Sequence, residues 1–502
     1  MLRGHWRSVH RPPLSAEAGL VCRCTHLSGS RRRASRWPNV VRATIDLATA
    51  EPSTGGISED EILQIKTLRH ELEARDSPFV ETNNAGGGFV GDGDLVSLDV
   101  SRYESEESSG AGCIGIQNTE DGTCTPLPPW CRRSGPRRTI YLDPPKVTAA
   151  VVTCGGLCPG LNDVVQNIVF TLIDYGVPED QIYGIRYGLR GFYSRDAKPM
   201  ELRAHVVEGI HLQGGTVLGT SRGGADIGEI VKRLSLWGVN MLYVVGGNGG
   251  NAAASAIQEE CEKQGVHTIV AACPKSIDSD ILVIDRCFGF ETAVEEAQRA
   301  LLAAKVEASS AFRGVGLVKL MGRSSGFIAM QASMASGVVD VCLIPEVHFA
   351  EDKLMQYIDR ILNKKGHVVI CVAEGAGQDM LAKSGTHQGF DASGNPILQD
   401  VGTYLRHAIR KNLEDVDMKY IDPSYQIRAV PTNCNDRIYC KVLGQGAVHG
   451  AFAGFTGFTV GLVNTHYVYL PIPVIIQDTR KVDPKGRSWN RLKTAINQPE
   501  FV

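Results

Sequence analysis

The sequence lacks the markers of several large protein classes. Its fourteen cysteines are scattered over 502 residues with no Cys-x-x-Cys pair, which excludes a small disulfide scaffold and gives no sign of a zinc site. No apolar run is long enough for a membrane span; the glycine-softened stretch at residues 450–463 is too short and is studded with Gly and Thr. An excess of one charge is missing too. The 52 basic residues nearly balance the 55 acidic ones, for a formal net charge of −3. Global charge therefore gives no reason to expect nucleic acid or a membrane surface as a partner. Gly-x-x-x-x-Gly-Lys-[Ser/Thr] does not occur, and Gly-x-Gly-x-x-Gly occurs only at residues 86–91 and 110–115, outside any strand-to-helix setting, which argues against a P-loop enzyme and an ordinary dinucleotide domain. What is present is a globular composition, 43% hydrophobic, with length for two to three domains. Glycine is in excess: 55 of 502 residues, about 11% against a usual ~7%.

The chain divides by composition. Residues 1–45 hold nine arginines, no lysine and one acidic residue, Glu17. With frequent serine and no apolar h-region, this reads as an organelle transit peptide. Val41-Arg42-Ala43 resembles a chloroplast processing site, so the expected location is the plastid stroma. Residues 46–138 read as an N-terminal extension, partly disordered, that packs on a catalytic body. There, Ile62, Ile65 and Leu68 after Ser58 suit a short amphipathic helix with Ser58 as its cap. Gly86-Gly87-Gly88 and residues 105–112 should be loop, and Pro126, Pro128 and Pro129 block any long helix around Cys113, Cys124 and Cys131. The extension carries no catalytic signature. The body is expected over residues 139–485, with a C-terminal tail at 486–502.

From Lys146 the pattern changes to short buried strands that run into glycine turns. Residues 147–153 precede Cys154-Gly155-Gly156, and residues 241–245 precede Gly246-Gly247-Asn248-Gly249-Gly250. Residues 314–320 lead into Met321-Gly322-Arg323, and residues 367–373 into Glu374-Gly375. Near-continuous β-branched runs separated by helical segments imply parallel strands buried on both faces, hence a doubly wound α/β fold. Ligands of such sheets lie beyond the strand carboxyl ends, where these glycines fall. Glycine lets backbone N–H groups approach phosphate oxygens, and the next helix N-terminus adds favourable charge. Several such turns with isolated Arg and Asp residues point to a phosphotransferase.

Six strings occur in one order: Gly155-Gly156-Leu157-Cys158-Pro159-Gly160-Leu161-Asn162, Gly215-Thr216-Val217-Leu218-Gly219-Thr220-Ser221-Arg222, Pro274-Lys275-Ser276-Ile277-Asp278-Ser279-Asp280, Met321-Gly322-Arg323, Ala373-Glu374-Gly375 and Tyr425-Gln426-Ile427-Arg428. Together they resemble the ATP-dependent 6-phosphofructokinase family from about residue 140 to 480. Ala447-Val448-His449-Gly450-Ala451 resembles the plant group of that family, with a plastid form the expectation. The resemblance implies two Rossmann-like lobes of the phosphofructokinase fold and the committing phosphorylation of glycolysis, fructose 6-phosphate plus ATP giving fructose 1,6-bisphosphate and ADP. It implies Asp278 as general base, framed by Ser276 and Ile277, and Arg323 as a catalytic cation beside Met321 and Gly322. Glu374 would accept sugar hydroxyls, and Tyr425 and Arg428 would hold the 6-phosphate. Gly155, Gly156, Arg222, Gly223, Gly247, Asn248, Gly249 and Gly250 would line the ATP site, with Mg²⁺ on Asn248 and Asp280. A homotetramer and allosteric control are further implications.

Two departures keep alternatives open. The family's second loop normally reads Gly-Gly-Asp-Gly, and here Asn248 replaces the acid. Either the amide is tolerated or the chain is a low-activity regulatory subunit. Lys275 is typical of pyrophosphate-dependent phosphotransferases, whereas Gly249 leaves the room a nucleotide needs. Cys154 and Cys158 flank the first loop, so a disulfide between them, reversed by a thioredoxin-type reductant, would switch activity. Arg313 is a candidate to reach a neighbouring subunit's sugar site.

Overall fold

The computed structural model of the chain describes residues 57–82, 88–98, 115–117, 124–223, 225–382, 389 and 397–501. The presequence expected at residues 1–45, Gly86, Gly87, Cys113 and the loop at 105–112 lie outside the described residues. From residue 149 strand and helix alternate: β1 (Ala149–Thr153), α1 (Leu161–Tyr175), β2 (Ile182–Ile185), β3 (Met200–Glu201), α2 (Ile227–Trp237), β4 (Met241–Gly246), α3 (Asn248–Gln264) and β5 (Ile269–Pro274). The long helix α4 (Phe290–Ser309) leads to a second series: β6 (Gly314–Leu320), α5 (Phe327–Ser336), β7 (Val341–Leu343), α6 (Glu351–Lys365), β8 (His367–Ala373), α7 (Val401–Asn412), β9 (Asp417–Ile421) and α8 (Ser424–Ala429). Helix α9 (Cys434–Phe452) returns to the first series and is followed by β10 (Phe458–Val463), β11 (His466–Pro471) and α10 (Arg487–Ile496).

Two sheets result. The larger runs β3-β2-β1-β4-β5-β10-β11, and the smaller runs β7-β8-β6-β9 with every pair parallel. Strands β1, β4 and β5 are buried at every position because helices cover both faces. Alternate side chains leave opposite faces of a strand. Ala149 and Val151 accordingly join the core under α1 and α9, while Ala150 and Val152 join the core under α2 and α3. The smaller sheet is wrapped in the same way: Val318 and Leu320 face α4 and α5, and Val315 and Leu317 face α6 and α7. Helix α4 lies so close to β6 that a Cβ on Gly314 would sit 2.0 Å from the Ala308 carbonyl oxygen.

The larger sheet departs from an all-parallel arrangement at its edges. β3 pairs antiparallel with β2, and β11 with β10. The second pair is a hairpin whose turn residues, Asn464 and Thr465, have φ of +48° and +67°, the left-handed conformation that matches strand twist in a two-residue turn. The helix expected after Ser58 is also replaced. A single 3-10 turn, Glu59–Glu61, forms with the Glu61 carboxylate accepting the Ser58 N–H at 2.8 Å. The chain then extends, and Lys66–Thr67 pairs with Phe455–Thr456. Burial of Ile62, Leu63 and Ile65 against the body outweighs the local preference. Among the described residues no helix is long and apolar enough to cross a membrane.

Candidate active site

The carboxyl ends of β1, β4 and β5 place three loops side by side. Gly155, with φ of +90°, donates its N–H to the Ser221 carbonyl at 3.0 Å, and its own carbonyl accepts the Thr220 hydroxyl at 2.8 Å. This brings Arg222 over Gly156, where a Cβ would lie 3.3 Å from the guanidinium. Gly247 caps α3, so Asn248, Gly249 and Gly250 form its first turn and direct free N–H groups at the loop. A Cβ on Gly250 would meet the Cys154 sulfur at 2.6 Å, so glycine sets how closely this helix start approaches the first loop. The Asn248 Oδ1 is buried with no hydrogen-bond partner.

The third loop carries the acids. Lys275 is buried, donates its backbone N–H to the Gly246 carbonyl at 2.8 Å, and holds its Nζ 3.6 Å from where a Gly155 Cβ would stand. Ser276 donates its hydroxyl to Asp280. Ser279, at φ +55°, turns the chain tightly, with its N–H 3.1 Å from the Ser276 carbonyl. That turn aims Asp278 inward. Burial first, then the neighbouring carboxylates of Asp280 and Glu374, push the Asp278 carboxyl up to about 8, against a hydrogen bond from the Arg323 backbone and the charge of Lys275. A carboxyl tuned to that range can take a proton near neutral pH.

The smaller sheet closes the site from the other side. Gly322, at φ +126°, has no room for a side chain: a Cβ would lie 2.6 Å from the Ser325 carbonyl oxygen. Its own carbonyl accepts the Gly375 N–H at 3.0 Å, which fastens the Met321-Gly322-Arg323 loop to the end of β8. Burial raises the Glu374 carboxyl, and Arg323, Arg428 and Lys319 oppose the shift. Helix α8 presents Tyr425 and Arg428 together, the guanidinium 4.8 Å from the ring centroid. Tyr425 is 81% exposed. Lys319 pairs with Asp422 at 2.9 Å and with Asp400 at 3.2 Å, anchoring the turn just before α8.

One cavity of about 740 Å³ unites these groups. It is lined by Gly155, Gly156, Arg222, Gly223, Gly247, Asn248, Gly249 and Gly250 on one side and by Ser276, Ile277, Asp278, Asp280, Met321, Arg323, Glu374, Tyr425 and Arg428 on the other. Of the residues assigned from sequence to the two substrates and the metal, Gly322 alone is not on the wall; it lies beneath and shapes the loop. Lys275 and Ser221 also line the cavity. Lys275 could have been assigned from its place in the Asp278 string, whereas Ser221 gave no separate signal.

One expectation needs correction. Cys154 and Cys158 belong to cores on opposite faces of the larger sheet, with Cys154 beside Val152 and Cys158 beside Val151. Their thiols turn to different carbonyls, Val245 at 3.7 Å and Phe288 at 3.3 Å. Burial pushes the Cys154 thiol up to about 11 and the Cys158 thiol further, so the proposed disulfide would require rebuilding the loop. Arg313, the candidate for a neighbouring subunit's site, stands at the amino end of β6, outside the cavity of its own chain. Its guanidinium is held by Asp359 at 2.7 Å and Asn363 at 2.6 Å.

Comparison with known proteins agrees with this geometry. Residues 148–451 match the family model described as Phosphofructokinase. The chain is 51% identical to a chloroplastic ATP-dependent 6-phosphofructokinase of Arabidopsis thaliana, covering 83% of this chain and 76% of that relative. It is 40% identical to an ATP-dependent 6-phosphofructokinase of Amycolatopsis methanolica, covering 88% and 96%. Among solved structures, a pyrophosphate-dependent phosphofructokinase of Marinobacter aquaeolei superposes with a TM-score of 0.58, covering 70% of this chain and 92% of that one. At 17% identity that likeness concerns the fold alone.

Proposed function

The chain belongs to the phosphofructokinase family, and from that membership we propose that it transfers the γ-phosphoryl group of ATP to the 1-hydroxyl of D-fructose 6-phosphate. The observation that carries the reading is the convergence of an elevated Asp278 carboxyl, the Lys275 and Arg323 cations and three glycine turns on one cavity. Phosphoryl transfer needs alignment and charge neutralisation more than covalent help, and these groups are suited to supply both. Asp278 would take the proton of the attacking hydroxyl. Arg323, Lys275 and the first turn of α3 would face the transferring phosphoryl group, and Arg222 would reach toward the same region. Glu374 would accept hydrogen bonds from the sugar, with Ser276, Ile277, Met321 and Gly322 shaping its pocket. Tyr425 and Arg428 would hold the 6-phosphate.

The family implies Mg²⁺, and the donor set fits. Asn248 Oδ1 and Asp278 Oδ1 are buried without hydrogen-bond partners, and Asp280 lines the same cavity. Among the described residues no cluster of three His, Cys, Asp or Glu side chains could form a complete cage. Magnesium suits such a site, since it is commonly held by one or two protein oxygens plus waters and substrate phosphates. Asn248 and Asp280 would hold the ion, which when bound neutralises charge on the phosphate oxygens. As for the donor, a Cβ on Gly249 would meet open space, so this position leaves the cavity free for a nucleotide.

The reading extends to a plastid location, supported by the chloroplastic relative and the arginine-rich, acid-poor residues 1–45. A homotetramer is part of it, and the outward-facing Leu302, Val306 and Phe312 at the end of α4 offer an apolar surface for subunit contact. The test is product formation by the purified chain given Mg²⁺, fructose 6-phosphate and either ATP or pyrophosphate. Turnover with ATP supports the kinase; turnover with pyrophosphate alone would reassign the donor. No turnover with either, despite sugar-phosphate binding, would favour a regulatory subunit.

A further inference from the structure

After β11 the chain passes back between the two sheets, and three residues there, Thr479, Arg480 and Val482, together touch both sides of the active site without lining it. Thr479 bridges Ile281, and the Arg480 N–H donates to the Asp280 carbonyl at 2.8 Å. The Arg480 guanidinium donates to the carbonyls of Asp285 at 2.5 Å and Ile284 at 3.2 Å. These contacts hold the loop that carries Asp278 and Asp280. On the other side, the same guanidinium lies 4.8 Å from the ring centroid of Phe327, the first residue of α5 and the fourth after Arg323. Two residues on, the Val482 N–H donates to Glu346 Oε1 at 2.7 Å, and that oxygen also accepts the Gly326 N–H at 3.0 Å. Val482 is buried in the core of the smaller sheet. The strap thus links the acid loop to the loop of Arg323, the pair between which the Asp278–Arg323 backbone hydrogen bond runs.

The chemistry of Arg480 is that of a strut. Its planar fork meets two carbonyls and one aromatic face, and among the described residues no carboxylate lies within ion-pairing distance. The side chain does not line the cavity. We propose that Arg480 is a positioning residue, which sets the distance between the Asp278 loop and the Arg323 loop through its contacts to Asp285, Ile284 and Phe327. The proposal rests on the kinase reading of the cavity for its catalytic consequence, and on packing alone for its structural one. Displacement of reacting groups by about 1 Å costs on the order of 100-fold in rate even when substrates still bind.

The test pairs Arg480→Met, which keeps the packing on Phe327 and deletes the donors, with Arg480→Lys, which keeps one donor and the charge. For folded Arg480→Met the expected result is a kcat lower by about 10- to 100-fold, with KM for both substrates within about threefold of wild type. Arg480→Lys should recover part of the loss. Hydrogen exchange should quicken in Arg480→Met at residues 276–285 and at 322–327 together. A kcat within about twofold of wild type in a folded variant overturns the proposal, as does faster exchange confined to residues 478–482. Should Arg480→Met not fold, Arg480→Lys decides on the same two measurements. An inactive wild-type enzyme would count against the kinase reading only, because exchange at the two loops reports on the strut without turnover.

Discussion

At the scale of single residues, a carboxylate and an amide share a crowded site. Asp278 is raised because it is buried beside Asp280 and Glu374, and a missing charge at Asn248 limits that repulsion. The cost falls on the metal, since an amide oxygen is a weaker ligand for a hard cation than a carboxylate. Asn248→Asp should therefore lower the Mg²⁺ concentration for half-maximal rate several-fold, by about 3- to 10-fold if one charge near the ion contributes about 1 kcal/mol. An unchanged or raised Mg²⁺ requirement would show that Asn248 does not face the ion. The positions of Asp278, Arg323 and Glu374 were legible because each follows an apolar strand at its carboxyl end, whereas the roles expected of them came from the resemblance of their motifs to the phosphofructokinase family. The facing of Cys154 and Cys158 was not legible, because strand alternation ends at Thr153 and the turn beyond it decides which core each thiol enters.

At the scale of elements, the first turn of α3 is held by close packing. In most helices Gly→Ala stabilises by about 0.5–1 kcal/mol. Gly250 should behave oppositely, because a Cβ there would stand 2.6 Å from the Cys154 sulfur, and the helix start must move to make room. We expect Gly250→Ala to raise KM for ATP with little change for fructose 6-phosphate, and Cys154→Ala in the same chain to restore it. Equal KM values in the single and double variants would sink the idea, since coupling is expected only between groups in contact. Strands β6 and β8 were readable to the residue because burial on both faces leaves a near-continuous apolar run, interrupted within β6 by Lys319 alone. The edge strand β9, Asp417–Ile421, hid its signal behind Asp417 and Lys419. Residues 59–68 misled for another reason: apolar spacing of three fits a helix turn, yet the pairing partner that draws Lys66–Thr67 into a strand lies near residue 455.

At the scale of the whole molecule, two buried-strand bodies with an intervening cavity were foreseeable from alternating strands and glycine turns. The hairpin that ends the larger sheet and the strap that returns from it were not, because both depend on contacts nearly 200 residues apart along the chain. Global stability offers a test away from the cavity. His449, on α9, bonds Tyr175 at 2.9 Å, and burial, aided by the charge of Arg137, pushes its imidazole down to about 3. In the fold it stays neutral, while the unfolded chain takes the proton below about pH 6.5. Its contribution is complete above that pH and lost as pH falls toward 3, by up to about 1.4 kcal/mol per unit. The stability gap between wild type and His449→Gln, from urea midpoints, should therefore narrow between about pH 7.5 and about pH 5. A gap that stays constant would mean that His449 titrates in the fold as it does in the unfolded chain.

The most direct test of the central claim is the steady-state rate of fructose 1,6-bisphosphate formation from ATP and fructose 6-phosphate, for wild type beside Asp278→Asn. A general base contributes about 10²- to 10⁴-fold, so the variant should lose that much kcat while both KM values stay within a few-fold. A variant that keeps the wild-type rate, or a wild type that makes no bisphosphate from ATP, would contradict the account.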